Sequence, residues 1–216
     1  MVLNDVVAEC ERSVRRPVED GLAALAVCDV TLTRVNGIGA IKIIDEHALV
    51  VMQAEAARLH HGRVENLAGE QTLRRRLSKG LEIDDPTLEA SRRSRWTLAT
   101  DFIAQVLQGA DAAVLPVMTV RTPAADECDP TSERFLAKTL YALSRWTRFV
   151  NMLGFPAIAL PVGFDDRAMP VALQIVGQPG SDVALLNLGT QMQDTTDWHA
   201  RVPTGIIDLV EVADPR

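Results

Sequence analysis

The side chains able to do covalent or acid–base chemistry are few and scattered. The serines are Ser13, Ser78, Ser91, Ser94, Ser132, Ser144 and Ser181, and the lysines are Lys42, Lys79 and Lys138. A serine hydroxyl becomes a nucleophile only when a positioned base takes its proton. Backbone N–H groups of a glycine-rich turn then hold the oxyanion. None of these serines adjoins another serine or is flanked by glycines. Ser78 and Lys79 are neighbours, which on a helix points their side chains apart, so the pair reads as surface. His60 and His61, near Glu55, diverge in the same way and lack a third ligand at a supporting spacing. A helix C-terminus, which favours positive charge, gives them a plainer reason to be there. Asp197 and His199 flank Trp198 in a tail without periodicity and read as a tail contact. Cys10, Cys28 and Cys128 form neither an even set nor a CxxC pair, so free thiols in a reducing compartment are expected. No catalytic residue, no metal site and no cofactor is assigned.

The frame that must position any site is one sizeable core. The chain has 216 residues, 47% of them hydrophobic and 24% charged, which excludes wholesale disorder. Lys plus Arg number 22 against 29 Asp plus Glu, a formal charge of −7. That balance argues against a nucleic-acid surface. The one basic cluster, Arg74, Arg75, Arg76 and Lys79, lies among Glu70, Glu82, Asp84 and Asp85 and reads as a solvated helix face. No apolar run reaches signal-peptide or membrane-spanning length, so a cytoplasmic location is expected.

Helices are expected over Val6–Leu25, restarted near Pro17, and over Ile41–His61 with Gly62 as a left-handed cap. The charged stretch from Arg63 to Asp84 is poorly patterned, with room for one short helix. Asp85-Pro86 reads as an N-cap and first-turn proline for a helix to Gln108, with Gly109 as its stop. Asp129-Pro130 opens another helix, to Leu153 and Gly154, and Ser181-Asp182 opens a last one. Strands are expected over Val27–Val35, Ala112–Met118, Ala157–Val162 and Val171–Val176. The polar turn Asp165-Asp166-Arg167 makes the last two an antiparallel pair. The tail from Thr195 to Arg216 reads as irregular. The order of elements is α/β, helices packed on a mixed β-sheet, and nothing divides residues 1–216 into separate domains.

One region carries a more specific signal. Asn151-Met-Leu-Gly154-Phe-Pro156-Ala157 runs into Pro161-Val-Gly163, then Pro170-Val-Ala-Leu-Gln174-Ile-Val-Gly177, then Asp182 to Leu186. This ordered set of N-x-x-G-x-P-A, P-x-G, P-x-x-L-Q-x-x-G and D-x-x-L-L is similar to the C-terminal signature of the amidase-signature family. Asp111 to Pro116 resembles that family's buried strand, and Trp198-His199 with Pro203 resembles the ending of many members. The first helix and strand resemble the unit that follows the family's catalytic core, so the likeness extends over nearly the whole chain. Read physically, Gly154 and Gly163 permit positive φ, and Pro156 and Pro161 suit a strand entrance or bulge. Gln174, on a buried strand, needs partners for its amide. These read as scaffold.

The resemblance implies hydrolysis of a carboxamide C–N bond. It also implies a serine nucleophile in a GGSSGG-type stretch, activated through a second serine in a cis peptide and a lysine base. No such stretch occurs among these residues, and the family's lysine and serines belong to a region that would precede Met1. No catalytic residue is therefore carried over. Met118, Thr119, Trp146 and Thr147, just after a buried strand or near a helix end, are candidates for a substrate-pocket wall. Trp146 has the alternative of packing in the core with Leu143 and Val150. Three readings remain open. The chain is a partial amidase-like domain, inactive alone, whose parent takes a small-molecule amide; or a non-catalytic binding or regulatory module; or one half of a split amidase completed by a partner chain. A cut sheet would expose an unpaired edge and drive self-association.

Overall fold

The computed structural model describes residues 1–62 and 71–202. A five-stranded mixed sheet runs through it: β1 (Val2–Leu3), β2 (Arg34–Val35), β3 (Ala112–Pro116), β4 (Ala157–Phe164) and β5 (Pro170–Gly177). The strands lie in the order β2-β1-β3-β5-β4. β1 is parallel to β2 and β3, whereas β5 is antiparallel to both β3 and β4. The three long strands arise from apolar runs, as a sheet covered on both faces requires. Ala113 and Leu115 of β3 point into one core while Val114 points into the other.

One core lies beneath α3 (Ile38–Leu59), α5 (Asp85–Phe102) and α8 (Arg148–Leu153), with Phe102, Trp146 and Phe149 fully buried in it. The other lies beneath α2 (Arg12–Val27) and α9 (Asp182–Asp194), where Val14, Val18, Leu22 and Leu25 form the expected stripe. Gly21 lets α2 approach β4 closely, since a Cβ there would stand 2.5 Å from Val162. The result is an α/β/α sandwich, matching the fold class read from the order of elements.

Several boundaries differ from the sequence reading, each for a physical reason. The first helix breaks at Glu9–Glu11, not at Pro17, giving α1 (Asn4–Ala8) before α2. The Glu11 N–H is drawn to the Thr119 carbonyl at 2.8 Å, and Pro17 sits buried inside α2 where a Gly163 side chain would reach. The strand expected over Val27–Val35 shrinks to Arg34–Val35, because its neighbour β1 offers only Val2 and Leu3 for pairing. Helix α3 starts earlier than Ile41. The Asp5 carboxylate accepts the N–H groups of Gly37 and Ile38 at 2.9–3.0 Å and so caps it from outside the local sequence. Gly62 takes no left-handed conformation, and α3 ends through His60 instead.

α4 (Gln71–Leu81) is the short helix of the charged stretch, of which 63–70 lie outside the described residues. Asp84 rather than Asp85 caps α5, accepting the Thr87 N–H at 2.9 Å. α5 continues as a π-helical turn, Ile103–Leu107, before Gln108 and Gly109 turn left-handed. After the short α6 (Ala125–Cys128), the single helix expected from Asp129 is two: α7 (Ala137–Leu143) and α8. Asp129 instead turns the chain by accepting from the N–H and hydroxyl of Thr131. The interruption between α7 and α8 frees the Trp146 carbonyl, which accepts a 2.6 Å hydrogen bond from the Gln174 amide. Pro161 and Gly163 flank a register shift in β4, with Gly163 at φ +133°. No helix among the described residues is long and apolar enough to cross a membrane.

Candidate active-site cleft

β3 ends at Pro116, and the chain then rises through Met118 and Thr119 toward the break between α7 and α8. There the indole N–H of Trp146 donates to the Thr119 hydroxyl at 3.1 Å, a buried bond between residues far apart in sequence. The Trp146 ring is 1% exposed and belongs to the core beneath α3 and α8, so it is a packed residue here. Met118 and Thr147 are half-buried, and the Thr147 hydroxyl donates to the Ser144 carbonyl at 3.1 Å. The structure thus gathers Thr119, Trp146 and Gln174 into one polar chain. Asn151 is exposed on α8, Gly154 ends that helix at φ +70°, and Pro156 precedes β4. Gly177 ends β5, packed so closely by Ser181 that no side chain fits.

Next to the Thr119–Trp146 pair, at Val120 and Arg145, opens a cleft of about 630 Å³. It is walled by Val120, Arg121, Lys138, Tyr141, Arg145 and Arg148 together with Glu11, Asp45 and Glu127; none of Met118, Thr119, Trp146 and Thr147 is among its lining residues. Three of its four cationic side chains are held in place by partners, whereas Lys138 is exposed and makes no ion pair among the described residues. Arg145 stacks over the Trp146 ring at 4.3 Å and pairs with Glu9 at 2.8 Å. Arg121 pairs with Glu127 at 3.3 Å. Arg148, 10% exposed by its side chain, binds both oxygens of Asp45 at 2.7 and 2.8 Å and donates to the Tyr141 carbonyl and Ser144 hydroxyl. Arg76 lies 4.9 Å from the centre of the Tyr141 ring, with a buried nitrogen that finds no hydrogen-bond partner among the described residues.

Such a cleft can present Lys138, and the donors that their carboxylate partners leave free on Arg121 and Arg145, to a carbonyl or anionic group. Among the described residues the nearby Ser144 has no base positioned on it: its hydroxyl accepts from the Arg148 guanidinium, the opposite of what a base would do. Ser91 and His47 meet at 3.2 Å between α5 and α3, a pairing not foreseen from sequence. The serine is buried and the imidazole satisfies its hydroxyl. Ser78 and Lys79 are both exposed on α4, and His60 and His61 are exposed beyond α3. Asp197 pairs with Arg201, not His199. Among the described residues no three His, Cys, Asp or Glu side chains stand close enough to hold a metal. All three cysteines are free thiols, and burial pushes Cys10 up to about 11, which keeps it unreactive.

The amidase family model matches residues 4–186. The chain belongs to the amidase family. It is 37% identical over 111 residues to a glutamyl-tRNA(Gln) amidotransferase subunit from Nitrosococcus oceani, a match covering 50% of this chain and 21% of that protein. The same subunit from Halorhodospira halophila is 34% identical over 121 residues, covering 56% of this chain and 24% of the relative. Among solved structures, a crystal structure of an amidase overlays 89% of this chain with a TM-score of 0.74 at 24% identity. 6-aminohexanoate cyclic dimer hydrolase overlays 94% with a TM-score of 0.72 at 21% identity. At those identities the overlays establish the fold. The chain spans 44% and 46% of these two structures, less than half of either. Arg148 and Asp45 are the residues sequence reading passed over. A lone cation in α8, among Phe149, Val150, Met152 and Leu153, was the signal that could have found the first of them.

Proposed function

We propose that this chain is the C-terminal portion of an amidase scaffold, a partial domain that forms one wall of the site where a carboxamide C–N bond is cleaved. The observation that carries this reading is the family match over residues 4–186 in a chain that spans less than half of each of the two solved structures named above. The nucleophile and its base would come from outside these residues, since none of the serines has a base positioned on it in an accessible place. In the complete site the cleft beside Arg121, Arg145 and Arg148 faces the small-molecule amide. Met118 and Thr147 would complete its wall, with Thr119 and Trp146 bracing it from behind.

The missing part would be supplied by the same polypeptide or by a partner chain. The name of the aligned relatives, each one component of an amidotransferase, favours an assembly. So does the surface: among the described residues β4 is an unpaired edge strand, and Val183 and Leu186 of α9 beside it are largely exposed. Three free thiols suit a cytoplasmic location. The test is direct. The purified chain should release no ammonia from aliphatic or aromatic amides and take no label from a fluorophosphonate probe. Stoichiometric labelling, or ammonia release that persists in Ser78→Ala, would overturn the proposal.

A further inference from the structure

A second cleft, of about 600 Å³, opens between α3, α5 and α8, on the far side of Arg148 from the cleft described above. Three helix faces build it. Ala48, Val51, Met52 and Glu55 follow the i, i+3, i+4, i+7 spacing along α3, Arg92 and Arg95 stand on α5, and Arg148, Asn151 and Met152 stand on α8. Its volume is that of a small-molecule site.

The charges in this cleft are unevenly satisfied. Arg92 is saturated by Glu55 at 2.8 Å and Glu89 at 2.6 Å, and Arg148 by Asp45. The carboxylates at hand are therefore already engaged. Arg95 is different: its guanidinium makes no ion pair and no hydrogen bond among the described residues. It lies in the space that a side chain on Gly154 would fill, so the left-handed turn ending α8 is open on that side to let the guanidinium through. The planar fork of an arginine matches a carboxylate with two parallel hydrogen bonds. Beside it the exposed Asn151 amide offers a donor and an acceptor, and Ala48, Val51, Met52 and Met152 supply an apolar floor.

We propose that this three-helix cleft binds a small organic carboxylate with an apolar body, its carboxylate on Arg95 and its body on the floor formed by α3. The apolar floor separates such a ligand from inorganic phosphate, and the positive charge of Arg95 separates it from a neutral amphiphile. The experiment is a calorimetric titration of the full chain with sodium octanoate, 1-octanol and inorganic phosphate in turn. Octanoate is expected to bind about tenfold or more tightly than either of the others, the scale of one charge-assisted contact. Arg95→Ala should weaken octanoate by about tenfold, Arg95→Lys by less, and Arg93→Ala, its exposed neighbour, should leave it unchanged. Met52→Glu, at a half-exposed position, places a like charge against the ligand and should weaken it comparably without disturbing the core. Equal affinity for octanoate and octanol, equal affinity for octanoate and phosphate, or full affinity in Arg95→Ala would each overturn the proposal. Should Arg95→Ala fail to fold, unchanged octanoate affinity in Met52→Glu overturns it alone.

Discussion

The β4–β5 hairpin and the stretch from Met118 to Leu153 touch at Gln174, yet the balance of apolar burial and polar ties that holds each is different. The hairpin is two 8-residue strands whose Leu160, Val162, Leu173 and Ile175 bury into one core, with a turn closed by local bonds. The other stretch has only short helices; Trp146, Phe149 and Val150 anchor its end in the opposite core, and long-range polar ties fix the rest: Thr119 to Trp146, Gln174 to the Trp146 carbonyl, and Arg148 to Asp45. Burial of apolar area is non-directional and forgiving of small shifts. A polar tie is worth little until every donor and acceptor is met, and losing one partner costs the other's desolvation. The candidate active-site cleft sits in the second kind of structure, where side chains are held at fixed angles by named partners.

The largest expected effect comes from breaking the hairpin's apolar side. Leu173→Ala, at a fully buried position on β5, should lower the unfolding free energy by about 4 kcal/mol. Urea denaturation measures it, and a loss below about 1 kcal/mol would mean that β5 is not packed against the core beneath α2 and α9. On the polar side, Asp45→Asn leaves the Arg148 guanidinium without its carboxylate and should cost about 3 kcal/mol. The comparison sharpens in the pair: Asp45→Leu combined with Arg148→Met should recover most of that loss, because removing both charges also removes their desolvation. Losses that simply add in the double variant would show that the two groups are not coupled.

This division also explains what the sequence could disclose. Ala112–Pro116, Ala157–Phe164 and Pro170–Gly177 were legible because a strand buried on both faces writes itself as an apolar run bounded by Gly and Pro. The stripe of Val14, Val18, Leu22 and Leu25 was legible for the same reason. The break at Ser144–Thr147 was not, since it exists to present the Trp146 carbonyl to a glutamine 28 positions away. Nor was the start of α3, capped by Asp5 from 32 positions upstream. Val27–Val35 misled because alternation reports a half-buried strand only when a neighbour exists to pair with it, and β1 supplies two residues. Of the residues read as a pocket wall, Thr119 follows a strand end as expected, and Trp146 takes the alternative of packing in the core. Asp45 and Arg148 escaped, and Arg76, read as part of a solvated helix face, is instead half-buried over the Tyr141 ring, because their roles depend on partners in other elements.

Asp165 blurs the contrast, because it is a buried charge inside the otherwise apolar hairpin. It closes the β4–β5 turn by accepting the N–H groups of Arg167 and Met169, each at 2.9 Å. Burial alone would raise its pKa, but those two backbone bonds and the charge of Arg167 outweigh that effect and hold it below the ordinary aspartate value. A folded-state pKa lying below the unfolded one gives stability that is fully present above the unfolded value, about 3.9, and is lost as pH falls through the folded one. Asp165→Asn cannot titrate and keeps only part of the acceptor capacity. It should therefore cost about 1 kcal/mol at pH 7, the smallest of these effects. The gap between wild type and variant should stay constant from pH 7 to about pH 5 and then close as the wild-type carboxylate protonates below about pH 4. Urea denaturation at pH 7, 5 and 3 reads the gap directly. A gap as wide at pH 3 as at pH 7 would show that the ionised Asp165 does not hold the turn, leaving the hairpin to its apolar face alone.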